Sequence, residues 1–246
     1  MVYDHVANAT VQIHCDKIDG YGDGSGFHFQ QEDIIVTNAH VIESALVNND
    51  DIWAVTEDGE EAQLDLLDHS PSNTYDYAIL RLEDDFSESR TTLMPKSEEL
   101  ERGRRICFAG FPHGIDDLLV QEAHVSGPEE DYSFYIDGSV NGGNSGGPII
   151  DADDGEVMGI VTERRYLTPI DMDEVSREIE ALRQRLQEGI GVDIGMGSIS
   201  LSGVLELIAE ALGRFEYIME ANANNGIGIG YRIEFAKDAY EGLQED

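Results

Sequence analysis

The residue of this chain best equipped for chemistry is a serine set among glycines. In the run Asn141-Gly142-Gly143-Asn144-Ser145-Gly146-Gly147-Pro148, glycines flank Ser145 on both sides. They let the backbone turn sharply and aim its N–H groups at one point. Such groups stabilise an oxyanion while a serine hydroxyl attacks a carbonyl carbon. A serine hydroxyl is a poor nucleophile at neutral pH, so this chemistry needs an adjacent base. Taken alone, the same run also suits a tight turn with no chemistry.

The order of residues narrows the choice of base. Gly143-Asn144-Ser145-Gly146-Gly147 satisfies the Gly-x-Ser-x-Gly elbow of α/β-hydrolases, but that arrangement needs its histidine after the serine. All seven histidines here precede Ser145. The orders that remain are His…Asp…Ser and Asp…His…Ser, and a β-rich pattern favours the first. His40 directly follows the strand-like run Ile34-Ile35-Val36-Thr37. Asp76 stands at the mouth of another, Tyr77-Ala78-Ile79-Leu80-Arg81-Leu82. Asp65 and Asp68 are weaker candidates, because neither begins an Asp-x-Ala-aliphatic strand. His69, His113 and His124 are expected in loops or on the surface.

Stepping out from these residues, the first 85 positions read as short strands over 9–15, 27–29, 33–37, 51–55, 61–66 and 77–82, with a glycine-rich turn at 20–26. Alternation of apolar and polar residues and the Asp58-Gly59 turn carry this reading, which suggests a small barrel or sandwich. Residues 83–102 are polar and read as a linker. Strands resume at 105–110, 118–125, 133–136, 148–150 and 156–162, a second all-β unit. The period then changes. Val175, Ile179, Leu182 and Leu186 recur at helical spacing, and so do Val204, Leu205, Ile208, Ala211, Leu212, Phe215 and Met219. A strand returns over 227–235, so a helical hairpin interrupts the second β unit. Its apolar faces are expected to serve as packing surface.

Four motifs in order carry a resemblance. Gly24-Ser25-Gly26-Phe27, Val36-Thr37-Asn38-Ala39-His40-Val41, Asp76-Tyr77-Ala78-Ile79-Leu80 and Gly143-Asn144-Ser145-Gly146-Gly147-Pro148 resemble the successive motifs of trypsin-like serine proteases of the HtrA type. The resemblance covers roughly residues 6–162 and resumes at Gly226. It implies an all-β core of two six-stranded antiparallel barrels of the chymotrypsin type, over 1–90 and 91–246. The helical hairpin is then an insertion at about 168–224 in the second barrel. It implies a serine endopeptidase with a His40–Asp76–Ser145 triad, an acyl-enzyme intermediate, and an oxyanion hole from the N–H groups of Gly143 and Ser145. By the same resemblance Ser139, six residues before Ser145, lies at the base of a specificity pocket bordered by Thr162 and Gly228. An uncharged Ser139 favours small or medium apolar side chains at the cleaved position. Asn144 stands where digestive members of this fold carry Asp, so activation by a clipped N-terminus is not expected. The PDZ module common in HtrA-type proteases is not expected after Phe235. The hairpin emerges beside the cleft in the resembling fold, where shaping of access, or docking of a protein partner or second copy, joins packing as its expected role. A catalytically silent or regulated protease-like binding module, and an esterase on the same fold, are the alternative readings.

Composition sets the boundaries. The chain has 246 residues, 41% of them hydrophobic, enough for a real core. Its 51 Asp and Glu against 15 Lys and Arg give a net charge of −36, which repels phosphates and argues against binding nucleic acid. This acidity is similar to that of proteins from salt-loving archaea, and a need for high salt in folding is expected. No apolar run is long enough for a membrane span. Residues 1–10 lack a basic start and an apolar stretch, so a cytoplasmic location is the default expectation. Cys15 and Cys107 are expected as buried free thiols. No metal-ligand or cofactor motif is present, and the proposed reaction needs no cofactor.

Overall fold

The computed structural model describes residues 2–15, 23–96, 100–115, 117–129, 131–164 and 226–245, and between the last two segments residues 177, 179, 181–182, 195–196, 199–200, 208 and 211–212. Strands β1 (Thr10–Cys15), β2 (Gly24–His28), β3 (Ile34–Thr37), β4 (Ile52–Val55), β5 (Glu61–His69) and β6 (Ala78–Leu82) close a barrel in the order β1-β2-β3-β6-β5-β4. Strands β7 (Arg105–Gly110), β8 (Leu119–Pro128), β9 (Ser133–Ile136), β10 (Pro148–Asp151), β11 (Val157–Arg164) and β14 (Gly228–Arg232) close a second, in the order β10-β11-β14-β9-β8-β7. All their pairings are antiparallel. These are the two six-stranded barrels that the resemblance implies.

The side-chain period of two explains why several strands are apolar throughout. Ile35 and Leu80 point into the first barrel, while Ile34, Val36 and Ile79 join a shared core between the barrels. The second barrel does the same: Ile106, Phe108 and Ile149 fill its interior, and Cys107, Ala109 and Ile150 face the shared core. Every such strand is buried on both faces, so the two barrels are packed along a continuous apolar seam. Burial at about 25 cal/mol per Å² of apolar surface is the main force holding that seam.

Three helices flank the barrel strands, and the sequence reading contained none of them. Helix α1 (Val2–Ala9) precedes β1 and buries Val6 and Ala9 in the shared core. Helix α2 (Glu43–Asn48) follows a 3₁₀ turn over His40–Ile42. Helix α3 (Glu234–Glu245) replaces the end of the strand expected to reach Phe235. Its Tyr240 packs edge-on against Phe29, with ring centres 6.3 Å apart. Gly24 and Gly26 also lie in β2 and not in a turn. Backbone and side chains approach them so closely that a Cβ on Gly24 would sit 2.7 Å from Val41 and 2.9 Å from the Ser145 carbonyl. Cys107 is buried as expected, whereas Cys15, at the end of β1, is only half-buried.

Residues Arg165–Asn225 form a compact unit of their own. Within it a two-stranded sheet pairs β12 (Gly195–Met196) with β13 (Ile199–Ser200). Arg177, Ile179, Ala181, Leu182, Ile208, Ala211 and Leu212 are helical, and Leu182 and Ile208 are exposed. The rest of the expected hairpin lies outside the described residues.

Candidate active site

Asp76 and His40 meet at the rim of the first barrel. His40 opens the 3₁₀ turn just beyond β3, and Asp76 lies two residues ahead of β6, the strand paired with β3. His40 Nδ1 lies 2.7 Å from Asp76 Oδ2, and the His40 backbone N–H donates to Oδ1 at 3.0 Å. The carboxylate is thus held twice by one residue. A carboxylate accepts and does not donate, so this contact puts the imidazole proton on Nδ1 and leaves Nε2 as the acceptor. Asp76 adopts a left-handed backbone, φ 47°. Asn and Asp tolerate this better than most non-glycine residues, and such geometry is held only where the surroundings over-determine it.

Asn38 supplies part of that restraint. Its buried Nδ2 donates to the Asp76 carbonyl at 2.7 Å and lies 3.2 Å from Thr162 Oγ1 on the second barrel. Thr162 reaches this point because β11 bulges: Val161 pairs with Gly230 and Glu163 with Ile229, so Thr162 is the extra residue. A bulge re-aims the residue it contains. The Thr162 carbonyl accepts a hydrogen bond from Ser145 Oγ at 2.8 Å. The structure therefore brings His40, Asp76, Thr162 and Ser145 into one connected group, with the Ser145 hydroxyl turned to Thr162 and not to His40.

The loop carrying Ser145 is pinned through its carbonyls. The Gly142 carbonyl accepts from the His113 N–H, that of Gly143 from Ser25 Oγ, that of Asn144 from the Gly147 N–H and that of Ser145 from the Ser25 N–H, at 2.7, 2.7, 3.0 and 2.7 Å. The Gly146 N–H donates to Val161 O and the Asn144 N–H to Asn141 O. The N–H groups of Gly143 and Ser145 have no acceptor among the described residues. Gly143 has φ +90°, and a Cβ there would lie 2.2 Å from the Phe111 carbonyl. Only glycine fits. Asn144 is buried, and neither polar atom of its side chain has a partner among the described residues.

The three residues expected around a specificity pocket are placed differently from one another. Ser139 is exposed beyond β9. Gly228 pairs with Ile136 and Arg164, and its Cα is closed off by Val140. Thr162 turns its hydroxyl to Asn38 instead. A separate cavity of about 460 Å³ opens beside His40, lined by Asp23, Val41, Glu43, Ser44, Val47 and Asn48. His69, His113 and His124 are exposed, and His113 contributes its backbone to the loop. Among the described residues no cluster is arranged to hold a metal ion, and no helix is long and apolar enough to cross a membrane.

Residues 24–160 match the family model of the trypsin-like peptidase domain. A probable periplasmic serine endoprotease, DegP-like, from Halomonas elongata is 34% identical over 143 residues, covering 56% of this chain and 28% of that protein. Serine protease HTRA4 of Mus musculus is 31% identical over 152 residues, covering 56% of this chain and 29% of that protein. The chain thus spans less than a third of the length of the curated relatives it matches.

Proposed function

The chain belongs to the trypsin-like peptidase domain family, and from that premise we propose that it is a serine endopeptidase acting through Ser145, His40 and Asp76. The observation that carries the proposal is the His40–Asp76 pair at 2.7 Å, linked through Asn38 and Thr162 to the Ser145 hydroxyl. In this reading the Ser145 hydroxyl swings from Thr162 to His40 Nε2. One hydrogen bond is exchanged for another, at a cost of about 1 kcal/mol or less. His40 takes the proton as Ser145 attacks the peptide carbonyl, and Asp76 stabilises the imidazolium. The N–H groups of Gly143 and Ser145 hold the developing oxyanion. His40 then protonates the leaving amine, and the segment that follows it runs over the cavity beside His40. The acyl group is left as an ester on Ser145 Oγ; His40 then takes a proton from water, which attacks the ester carbonyl, and returns it to Ser145 Oγ as the carboxylic acid product leaves.

The hydroxyl bonded to Thr162 favours a second reading, a site at rest that does not turn over. Labelling with a fluorophosphonate in molar KCl separates the two. Wild type is expected to take up the label, and Ser145→Ala and His40→Ala to lose it. A folded wild type that stays unlabelled refutes the peptidase reading and leaves the silent one. Peptide and ester substrates then compare the peptidase with an esterase.

A further inference from the structure

We propose that Ser25 is a positioning residue that holds the oxyanion-binding loop in register from the opposite barrel, an inference that rests on the reading of the site given above. Ser25 lies on β2 of the first barrel and is fully buried. All its polar atoms are committed across the seam or to its own sheet. Its N–H donates to the Ser145 carbonyl at 2.7 Å, its hydroxyl to the Gly143 carbonyl at 2.7 Å, and its own carbonyl accepts from Thr37 Oγ1 at 2.7 Å. The hydroxyl oxygen also accepts the Phe111 N–H at 3.0 Å. That last bond matters for direction. With a lone pair taken by Phe111, the hydroxyl proton is steered to the Gly143 carbonyl, and the rotor is locked.

A peptide is planar and trans, so fixing a carbonyl fixes the next N–H on the opposite side. Ser25 grips the peptides that follow Gly143 and Ser145. The peptides that present the two unengaged N–H groups are the ones between and before them. Gly143 is the soft point, because a glycine at φ +90° rotates with no side chain to stop it. Without the Ser25 hydroxyl, the Gly143 carbonyl and the Phe111 N–H become buried and unpaired. Rotation about the Gly143 φ and ψ torsions relieves that, and because those torsions set the angle between the peptide before Gly143 and the chain leading to Ser145, it takes the Gly143 N–H out of line with that of Ser145. Ser25 touches no reacting atom, so its effect is on the oxyanion and not on the base.

The test uses the full chain in molar KCl and follows the second-order rate of fluorophosphonate labelling across neutral pH. Ser25→Ala removes the hydroxyl, and Ser25→Cys fills its space with a weak donor. Both variants are expected to label completely, but slower than wild type by on the order of tenfold or more. The midpoint of the pH profile, which reports His40, is expected to stay where wild type has it. An unchanged rate, or an unchanged rate with fewer molecules labelled, assigns Ser25 to packing alone and overturns the proposal. A shifted midpoint also overturns it, since the loss then runs through the base. If the alanine variant does not fold, the cysteine variant decides. A wild type that takes no label refutes the reading of Ser145 itself, and the role of Ser25 falls with it.

Discussion

His28 is a histidine outside the site, and its burial makes the fold sensitive to acid. The ring is fully buried, with Nδ1 2.6 Å from the Glu32 carbonyl and Nε2 unpartnered among the described residues. Burial pushes its pKa down to about 4, against the raising effect of the Glu32 carbonyl, and Arg90 adds to the depression. The unfolded chain, with a histidine near 6.5, therefore binds the extra proton first. The stability that the neutral ring allows is present above about pH 6.5 and is lost as pH falls towards 4. Between neutrality and pH 4.5 the loss is about 2 kcal/mol. His28→Gln is expected to flatten that part of the curve by a similar amount, measured as denaturant stability at the two pH values. An unchanged slope would place the acid sensitivity elsewhere. The residues named from the sequence were those whose own type announces them: Ser145 by its glycines, His40 and Asp76 by strand ends. Ser25 and Asn38 sit in the same motifs, yet their roles were not legible. The hydroxyl of Ser25 finds its partner 118 positions away, and the amide of Asn38 reaches Thr162 over 124. No local pattern records such a pairing.

At the scale of elements, α3 does what a strand in its place would not. It lays Tyr240 on Phe29, and its Phe235 stacks on Tyr75, ring centres 4.0 Å apart, next to Asp76. One helix thus braces the core and the segment that carries the acid. Tyr240→Ala is expected to cost about 3 kcal/mol through loss of the buried ring. The melting point should fall by roughly 6–12 °C, while the folded fraction still takes up the label at the wild-type rate. A melting point within a degree of wild type would mean that the helix adds little to the core. The strands were legible because some, such as β3 and β10, are buried throughout and read as apolar runs, while others, such as β4 and β8, alternate in burial. Helices α1 and α3 were not. Each buries only two residues of its own, Val6 and Ala9 in one and Ala236 and Tyr240 in the other. That stripe is too narrow to stand out against an acidic background. The bulge at Thr162 escaped for a different reason: it is set by register against β14, which the chain reaches only after a long insertion.

Across the molecule, Lys96 is the cation buried among the described residues. Lys96 is buried on the linker between the barrels, 3.1 Å from Asp151 and 3.7 Å from Glu156, with Asp154 also bonded. Arg104 binds the same Asp151 through Nε at 2.7 Å. Burial alone would favour a neutral Lys96, but the bonds to Asp154 and Asp151 win and raise its pKa. Only three lysines and twelve arginines stand against 51 acids, so the surface carries the excess. At about 1 M salt the Debye length is about 3 Å, short enough to silence most of that repulsion. The melting temperature followed by circular dichroism is therefore expected to climb steeply from low salt to molar KCl. Identical curves at both concentrations would remove the need for salt. The order of strands also has a consequence in time. The loop of Ser145 leads into β10, but the barrel that holds it closes only when β14 slots between β9 and β11. Between β11 and β14 the ribosome must make Arg165–Asn225, an interval of roughly 3–12 s at ordinary rates of synthesis. The insertion is thus a delay line: the nascent chain carries its serine for seconds before the barrel around it can shut.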